Sequence, residues 1–389
     1  MREIALGEAL DALIDHRGKT PKKLGGDFTL AGVKVVSAIH IKNGRINWEE
    51  RERYVSVAMF QRWMPEPTRR GDVLLTSEAP LGEVAQVEDD EPLVLSQRLF
   101  ALRGKQGLLD STYLRYFLQS DFGRHRLLSM ATGSTVSGIR QELLRQVKVP
   151  LPSLEEQERI AGVLGAFDDL IETNRRLSGD LLARLFAEYE VLGRRQPSTT
   201  FGTVARLVRD QWKPGSEGPH RYLGLEHFAT EGGGLIGHGS SSGVQSVSLR
   251  FARGDVLYGK LRPYFRKVAR PGFDGLCSSE VWVLRAQEGY PQSLVHALAH
   301  SPRFSEVAMA GSGGTRMPRA DWKQVSALPV PDLGSATMSQ AELNGLEALW
   351  FAACELDDES KDLARQRDEL LPLLMSGKVR VRDVEVATS

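Results

Sequence analysis

An internal repeat constrains this chain more than any other feature. Arg70-Gly-Asp-Val-Leu74 recurs as Arg253-Gly-Asp-Val-Leu257, and Pro80 in the loop that follows recurs as Pro263. Phe100-Ala-Leu-Arg103 recurs as Trp282-Val-Leu-Arg285. The helical segment holding Leu114 to Phe122 recurs as Leu294 to Phe304, and Met130-Ala-Thr-Gly-Ser134 as Met309-Ala-Gly-Ser-Gly313. Val149-Pro-Leu-Pro152 recurs as Leu328-Pro-Val-Pro331. Each match alone is weak. Six in one order, at offsets between 179 and 183, define a tandem duplication.

Each copy ends in a long helical stretch. After Pro150-Leu-Pro-Ser-Leu-Glu-Glu-Gln157 the chain runs to Leu192 without a proline. Ile160, Val163, Phe167, Leu170, Leu177 and Leu181, with Asn174 in register, alternate steps of three and four, as in a coiled-coil seam. Ser153 and Glu156 have capping-box spacing, and so do Ser339 and Glu342 in the second copy. There Leu346, Leu349, Ala353, Leu356, Leu363, Leu370 and Leu374 form a stripe, interrupted by Ser360 and Arg367. Pro372 is expected to kink the last turns and Gly377 to end them. Gly162, Gly165 and Gly179 within the first stretch either admit another chain closely or break the helix near Gly179.

A rod of this length is about 60 Å long. Two such rods cover their stripes most economically by packing together. Antiparallel packing returns the second rod to the first globe. The expected architecture is thus mixed α+β: two related α/β domains separated by two long antiparallel coiled-coil helices, with pseudo-two-fold symmetry. The boundaries read as 1–150, 151–195, 196–333 and 334–389.

The net charge is zero, but it is unevenly spread. Residues 154–192 hold nine acids and four bases, and residues 342–375 hold nine acids and three bases. Both rods are acidic, so the globes are basic, a distribution suited to globes that touch phosphate and rods that touch something else. No apolar run is long enough to span a membrane. Met1-Arg-Glu-Ile lacks the apolar core of a signal peptide, and Cys277 and Cys354 read as reduced, buried thiols. A cytoplasmic location is the expectation.

Within the first globe, Leu6 to Ile14 and Ser111 to Leu128 read as helices. Val33–Ser37, Asp72–Thr76 and Val94–Leu102 read as strands, with a turn at Asn43-Gly44. Candidate phosphate or base contacts are Lys19, Lys22, Lys23, Lys42, Asn43 and Arg45 in this globe. In the second they are Lys260, Arg262, Tyr264, Arg266 and Lys267. The small-residue loops, with Thr132, Ser134 and Thr135 in one copy and Ser312, Thr315 and Arg316 in the other, let backbone approach a phosphate closely.

Catalytic lookalikes do not hold up. Gly18-Lys19-Thr20 lacks the glycine that a phosphate loop carries six positions before its lysine; Leu13 stands at that position. Gly232-Gly-Gly234 does not lead from a strand into a helix in the dinucleotide-binding arrangement. His296 and His300 stand at i,i+4 without a third metal ligand or an adjacent glutamate. Glu359-Ser-Lys361 falls on a rod and not on paired strands. No catalytic constellation is visible.

The residues do carry a family likeness. Leu6-Gly-Glu with Arg17-Gly-Lys-Thr-Pro-Lys22, Arg70-Gly-Asp-Val-Leu-Leu75 and Thr132-Gly-Ser-Thr-Val136 are joined by Pro150-Leu-Pro-Ser-Leu-Glu-Glu-Gln157 and Arg367-Asp-Glu-Leu-Leu-Pro-Leu-Leu-Met-Ser-Gly377. Together they resemble the specificity (S) subunit of type I restriction–modification systems. The resemblance implies two target recognition domains on double-stranded DNA, reading an asymmetric bipartite target with one half-site each. It also implies that the long helices recruit two modification subunits and the restriction subunits. The chain would hold no cofactor and do no chemistry. S-adenosylmethionine, ATP and Mg2+ would belong to the partners of an adenine-N6 methyltransferase and ATP-dependent endonuclease. The alternatives are a scaffold that binds only protein and a self-contained methyltransferase or nuclease.

Overall fold

A computed structural model describes residues 2–42, 44–48, 52–133, 137–310 and 317–381. The chain divides into two compact units, Met1–Ile171 with Asp362–Ser389, and Glu172–Lys361.

In the first unit a four-stranded antiparallel sheet has the order Leu10–Asp15, Leu99–Gly104, Val73–Thr76, Val84–Gln86. Ala101 stands opposite both Ile14 and Leu74. Successive strand residues face opposite ways, and both faces of this sheet are covered, so its strands are apolar throughout. Val73, Leu75, Phe100 and Leu102 point to a core that includes Tyr113, Phe117, Ile160, Leu164 and Leu374. Leu74, Leu99, Ala101 and Ile14 point to another, with Val35, Trp63 and Val94. That second core is roofed by the strands Tyr54–Val55, Val33–Val36 and Leu93–Leu95, the last pair parallel.

The second unit repeats this plan. Its sheet runs Ala205–Val208, Val281–Ala286, Val256–Gly259, Val268–Ala269, the same order at the repeated motifs. Val256, Tyr258, Trp282 and Leu284 face one core, and Leu257, Val281 and Val283 face the other. The proline segments do the same work in both copies. Lys148–Pro150 pairs with Glu3–Ala5, and Pro329–Pro331 with Ser198–Thr200, tying the end of each globe to its beginning.

Three local expectations are corrected. Leu6 to Ile14 is one helical turn, Leu6–Ala9, followed by the strand Leu10–Asp15, because pairing with Leu99–Gly104 outweighs local helix preference. Val94–Leu102 is two strands in different sheets, parted by a turn in which Arg98 has φ 71°. Ser111 to Leu128 is two helices, Ser111–Gln119 and Asp121–Ser129. Buried Ser120 ends one and caps the next: its hydroxyl donates to the Phe117 carbonyl and accepts from the Gly123 N–H. A Cβ on Gly123 would lie 1.9 Å from the Phe117 carbonyl oxygen, so the break admits only glycine there. The second unit breaks likewise, between Gln292–His300 and Pro302–Ala310, with proline opening the new helix.

The first long helix, Leu154–Gly193, is continuous through Gly179, and the second, Gln340–Met375, continues through Pro372. Gly377, at φ 71°, follows the second helix's end. Ser339 and Glu342 form the complete capping box, whereas Ser153 caps Glu156 and Glu156 pairs with Arg159. Within each unit the two helices run antiparallel. In the first, Ile160 and Leu164 share a core with Leu374 and Met375, and Asp168 meets Arg367. In the second, Asn174 meets Glu359, Ser178 meets the Ala353 carbonyl, and Leu185 shares a core with Leu346.

The seam is phased differently from the sequence expectation. Gln157, Ile160, Ala161, Leu164, Ile171, Asn174, Ser178, Leu185 and Tyr189 are the buried positions. Leu170 and Leu177 are 52% and 47% exposed. Gln157, Asn174 and Ser178 are tolerated in the seam because each has a partner. Asp168 accepts from Tyr116 at 2.6 Å and from Arg115 at 3.0 Å, besides Arg367. Burial pushes its pKa up, but Tyr116, Arg367 and Arg115 outweigh burial and hold it below the ordinary carboxylate value.

Candidate nucleic-acid interface

The repeated Arg-Gly-Asp motif is a turn staple. Asp72 accepts two hydrogen bonds from the Arg103 guanidinium, both 2.8 Å, and one from the Arg69 N–H. Asp255 does the same with Arg285, at 2.7 and 2.7 Å, and with the Ala252 N–H. Gly71 and Gly254, at φ 89° and 87°, make the turns possible. Fork-to-fork pairs of this kind fix geometry as well as charge. The hydrogen bonds of Asp72 and of Asp255 raise the pKa of Arg103 and Arg285 respectively.

Each staple pins the start of an interior strand, and the loop leaving the far end of that strand meets the segment that follows the small-residue loop of the same unit. In the first unit Ile139 N–H donates to the Ser77 carbonyl, and Gly138 bridges both Glu78 and Thr132. In the second, Arg262 N–H donates to the Pro318 carbonyl, Ala320 N–H donates to that of Lys260, and Leu261 bridges Arg319. A left-handed residue precedes proline in both loops: Ala79 at φ 49° before Pro80, and Arg262 at φ 52° before Pro263. Such a conformation is uncommon outside glycine, and here it recurs at equivalent positions of the duplication.

The candidate side chains sort into two groups. Lys19 donates to the Trp63 carbonyl and Lys23 to that of Gly18, each at 2.8 Å, so Lys19 ties the basic loop to the end of the helix Val57–Trp63 and Lys23 folds the loop onto itself. Arg266 binds Glu231 and the His300 carbonyl, and Lys267 binds the Leu225 carbonyl at 2.6 Å. These four act in the fold. Lys22 is exposed on a short turn, and Lys42 and Arg45 flank a hairpin whose Gly44 bridges Ala85. Thr132 is exposed and hydrogen bonds through its backbone to Gly138. Lys260, Arg262 and Tyr264 stand on the projecting loop. Asn43, Ser134, Thr135, Ser312, Thr315 and Arg316 lie outside the described residues.

Some residues escaped the sequence reading. Arg17 lies over the Phe100 ring, pairs with Asp15, and donates to the Ile139 carbonyl at 3.1 Å, so it braces the small-residue loop. Phe265 stands beside Tyr264, with ring centroids 4.6 Å apart. His40 and His227 cap equivalent short turns, accepting from the Ser37 and Gly224 N–H groups at 3.0 and 2.9 Å. The signal was there in Ser37-x-x-His40 and Gly224-x-x-His227, at an offset beyond that of the other repeats. His296 is a core residue: its Nδ1 accepts from the Trp350 indole at 3.1 Å, and burial lowers its pKa to about 3. Both cysteines are buried and unpaired, and burial pushes each thiol up to about 12. Among the described residues no helix is long and apolar enough to cross a membrane.

Residues 3–181 match the family model of the type I restriction modification DNA specificity domain. The type I restriction enzyme MjaIX specificity subunit of Methanocaldococcus jannaschii is 37% identical over 151 residues, which are 39% of this chain and 32% of that protein. The MjaVIII specificity subunit of the same organism is 29% identical over 39% of this chain and 36% of its own length. The chain thus spans about a third of the length of these curated relatives. The EcoDI specificity subunit of Escherichia coli is 22% identical over 58% of this chain and 59% of its own. The crystal structure of the type I restriction–modification S subunit from M. genitalium has the same fold, with a TM-score of 0.59 at 16% identity over 96% of this chain and 95% of that one. Residues 3–181 belong to the DNA specificity domain family. Beyond those residues the chain is similar in fold to a solved type I restriction–modification S subunit.

Proposed function

We propose that this chain is the non-catalytic DNA-reading subunit of a type I restriction–modification complex, with recognition domains at 1–150 and 196–333. Each domain reads one half of an asymmetric, split target in double-stranded DNA. The observation that carries this reading is the paired loops: one scaffold, built twice, with different chemistry at its tips. The first unit presents Glu78-Ala-Pro-Leu81 and the second Leu261-Arg-Pro-Tyr-Phe-Arg266. Equal scaffolds with unequal tips suit two reading heads for two different half-sites.

In this reading the long helices set the unread gap and dock two modification subunits and the restriction subunits on their acidic outer faces. Leu170 and Leu177 are candidates for that contact, since they are exposed. S-adenosylmethionine, ATP and Mg2+ are then bound by those partners, in the cytoplasm. The test is to purify the chain with and without its modification subunits and follow methyl transfer and salt-dependent binding to duplex DNA. The reading expects no transfer by the chain alone, transfer by the complex, and binding that weakens steeply with salt as counterions are released. Methylation or cleavage by the chain unaided would make it an enzyme. A complex that ignores DNA would make it a scaffold.

A further inference from the structure

We propose that Tyr264 and Phe265 form a wedge that enters the DNA duplex at the half-site of the second unit and opens one base step. This rests on the DNA-reading function proposed above and adds a distortion that only one of the two units makes.

The rings are large, close together and exposed, at 45% and 36%. Two exposed aromatics at a loop tip are costly to leave in water, and their apolar faces fit the faces of bases. The loop that carries them is held firmly. Arg262 and Arg266 both take left-handed backbone, φ 52° and 48°, on either side of the turn Pro263–Phe265. Arg266 is bound to Glu231 and the His300 carbonyl, Lys267 to the Leu225 carbonyl, and the Arg262 N–H to the Pro318 carbonyl. Both flanks of the tip are therefore tied to the body of the unit, and a tip already in its working shape loses little entropy on contact.

The surrounding charge suits a polyanion. Lys260 and Arg262 have no side-chain partner among the described residues, and the Arg262 Nε is buried without one. Cations beside an apolar wedge are the combination by which proteins hold the backbone while parting a base step, at a cost of a few kcal/mol that the added contacts offset. The equivalent loop of the first unit has Ala79, Pro80 and Leu81 where these aromatics stand, and its Glu78 is neutralised by Arg98 at 3.1 Å. That loop has no ring to insert, and the Arg98 cation beside it is already paired, so the distortion is confined to one half-site.

The test uses the full chain assembled with its modification subunits, and a short duplex carrying the methylated motif of the host. Permanganate reactivity of thymines reports unstacking, and fluorescence anisotropy reports affinity. Tyr264→Ala/Phe265→Ala is compared with Phe265→Tyr, which keeps a ring, and thermal unfolding checks that each variant is folded. The wild-type complex should show one reactive step, in one half-site. The double alanine variant should lose that reactivity and bind about 5- to 150-fold more weakly, the range expected for one lost base–aromatic stack. Phe265→Tyr should keep the reactivity. Binding without a reactive step, or a reactive step that survives in the double variant, overturns the wedge and leaves DNA reading intact. Loss of the modification subunits from the double variant, with unstacking unchanged, makes the pair a protein contact and overturns the wedge too. No binding by the wild-type complex overturns the DNA-reading account itself.

Discussion

Replacing Asp168 with Asn tests the polar layer that joins the long helices of the first unit. The substitution keeps the shape and removes the charge. Arg115 and Arg367, whose side chains are 12% and 28% exposed, then lose their shared carboxylate, and the single amide oxygen can serve either Tyr116 and Arg115 or Arg367, but not both sides. The Arg115 Nε already lacks a partner among the described residues. Breaking a fully buried pair costs about 3–5 kcal/mol, and the partial exposure here brings the figure down to about 2–4 kcal/mol. Hydrogen exchange of the amides from Leu363 to Leu374 reads this locally, and protection should fall by roughly 30- to 700-fold. The pH dependence has a defined sign. The folded pKa of Asp168 is depressed below 3.8, so its contribution is present above that value and is lost as pH falls through the folded pKa. Asp168→Asn removes that acid-side loss. A change in protection under about threefold would refute the idea that this layer holds the helices together.

Other substitutions test the seam, the staples and the cations. Leu170→Asp with Leu177→Asp should alter unfolding by no more than about 0.5 kcal/mol each, because both side chains face water, whereas Ile171→Asp should lower the melting temperature sharply by burying a charge. Asp72→Asn and Asp255→Asn should each cost about 2–4 kcal/mol in denaturant unfolding, and similar amounts, because the two staples share one geometry. Lys260→Ala with Arg262→Ala should reduce the slope of log affinity against log salt by about 1–2 and leave assembly unchanged by gel filtration.

The duplication, the two long helices and their antiparallel sense were legible because they rest on spacing within one sequence. The phase of the seam was not. Asn174 was read in register and is buried, but Leu170 and Leu177 look like seam residues, while Gln157 and Ser178 do not. Yet the latter are buried, and the Leu108 and Ala353 carbonyls that they bind come from other segments of the chain. Nothing local announces such a partner. The same holds for the basic loops. Lys19, Lys23, Arg266 and Lys267 look alike on paper to Lys22 and Lys260, and only folding brings carbonyls to some of them. The break at Ser120 was readable in outline, since Ser120-Asp121 is a helix-start signal, but the stripe from Leu114 to Leu127 masked it.

The central claim is that two built-alike units read two different half-sites. It is tested most directly by sequencing the methylated bases of the host genome with the gene intact, deleted, and carrying residues 260–267 replaced by the first unit's loop. The account predicts a split, asymmetric methylated motif that disappears on deletion, and whose one half alone changes on loop replacement. A methylome indifferent to deletion, or a replacement that alters both halves together, would contradict it.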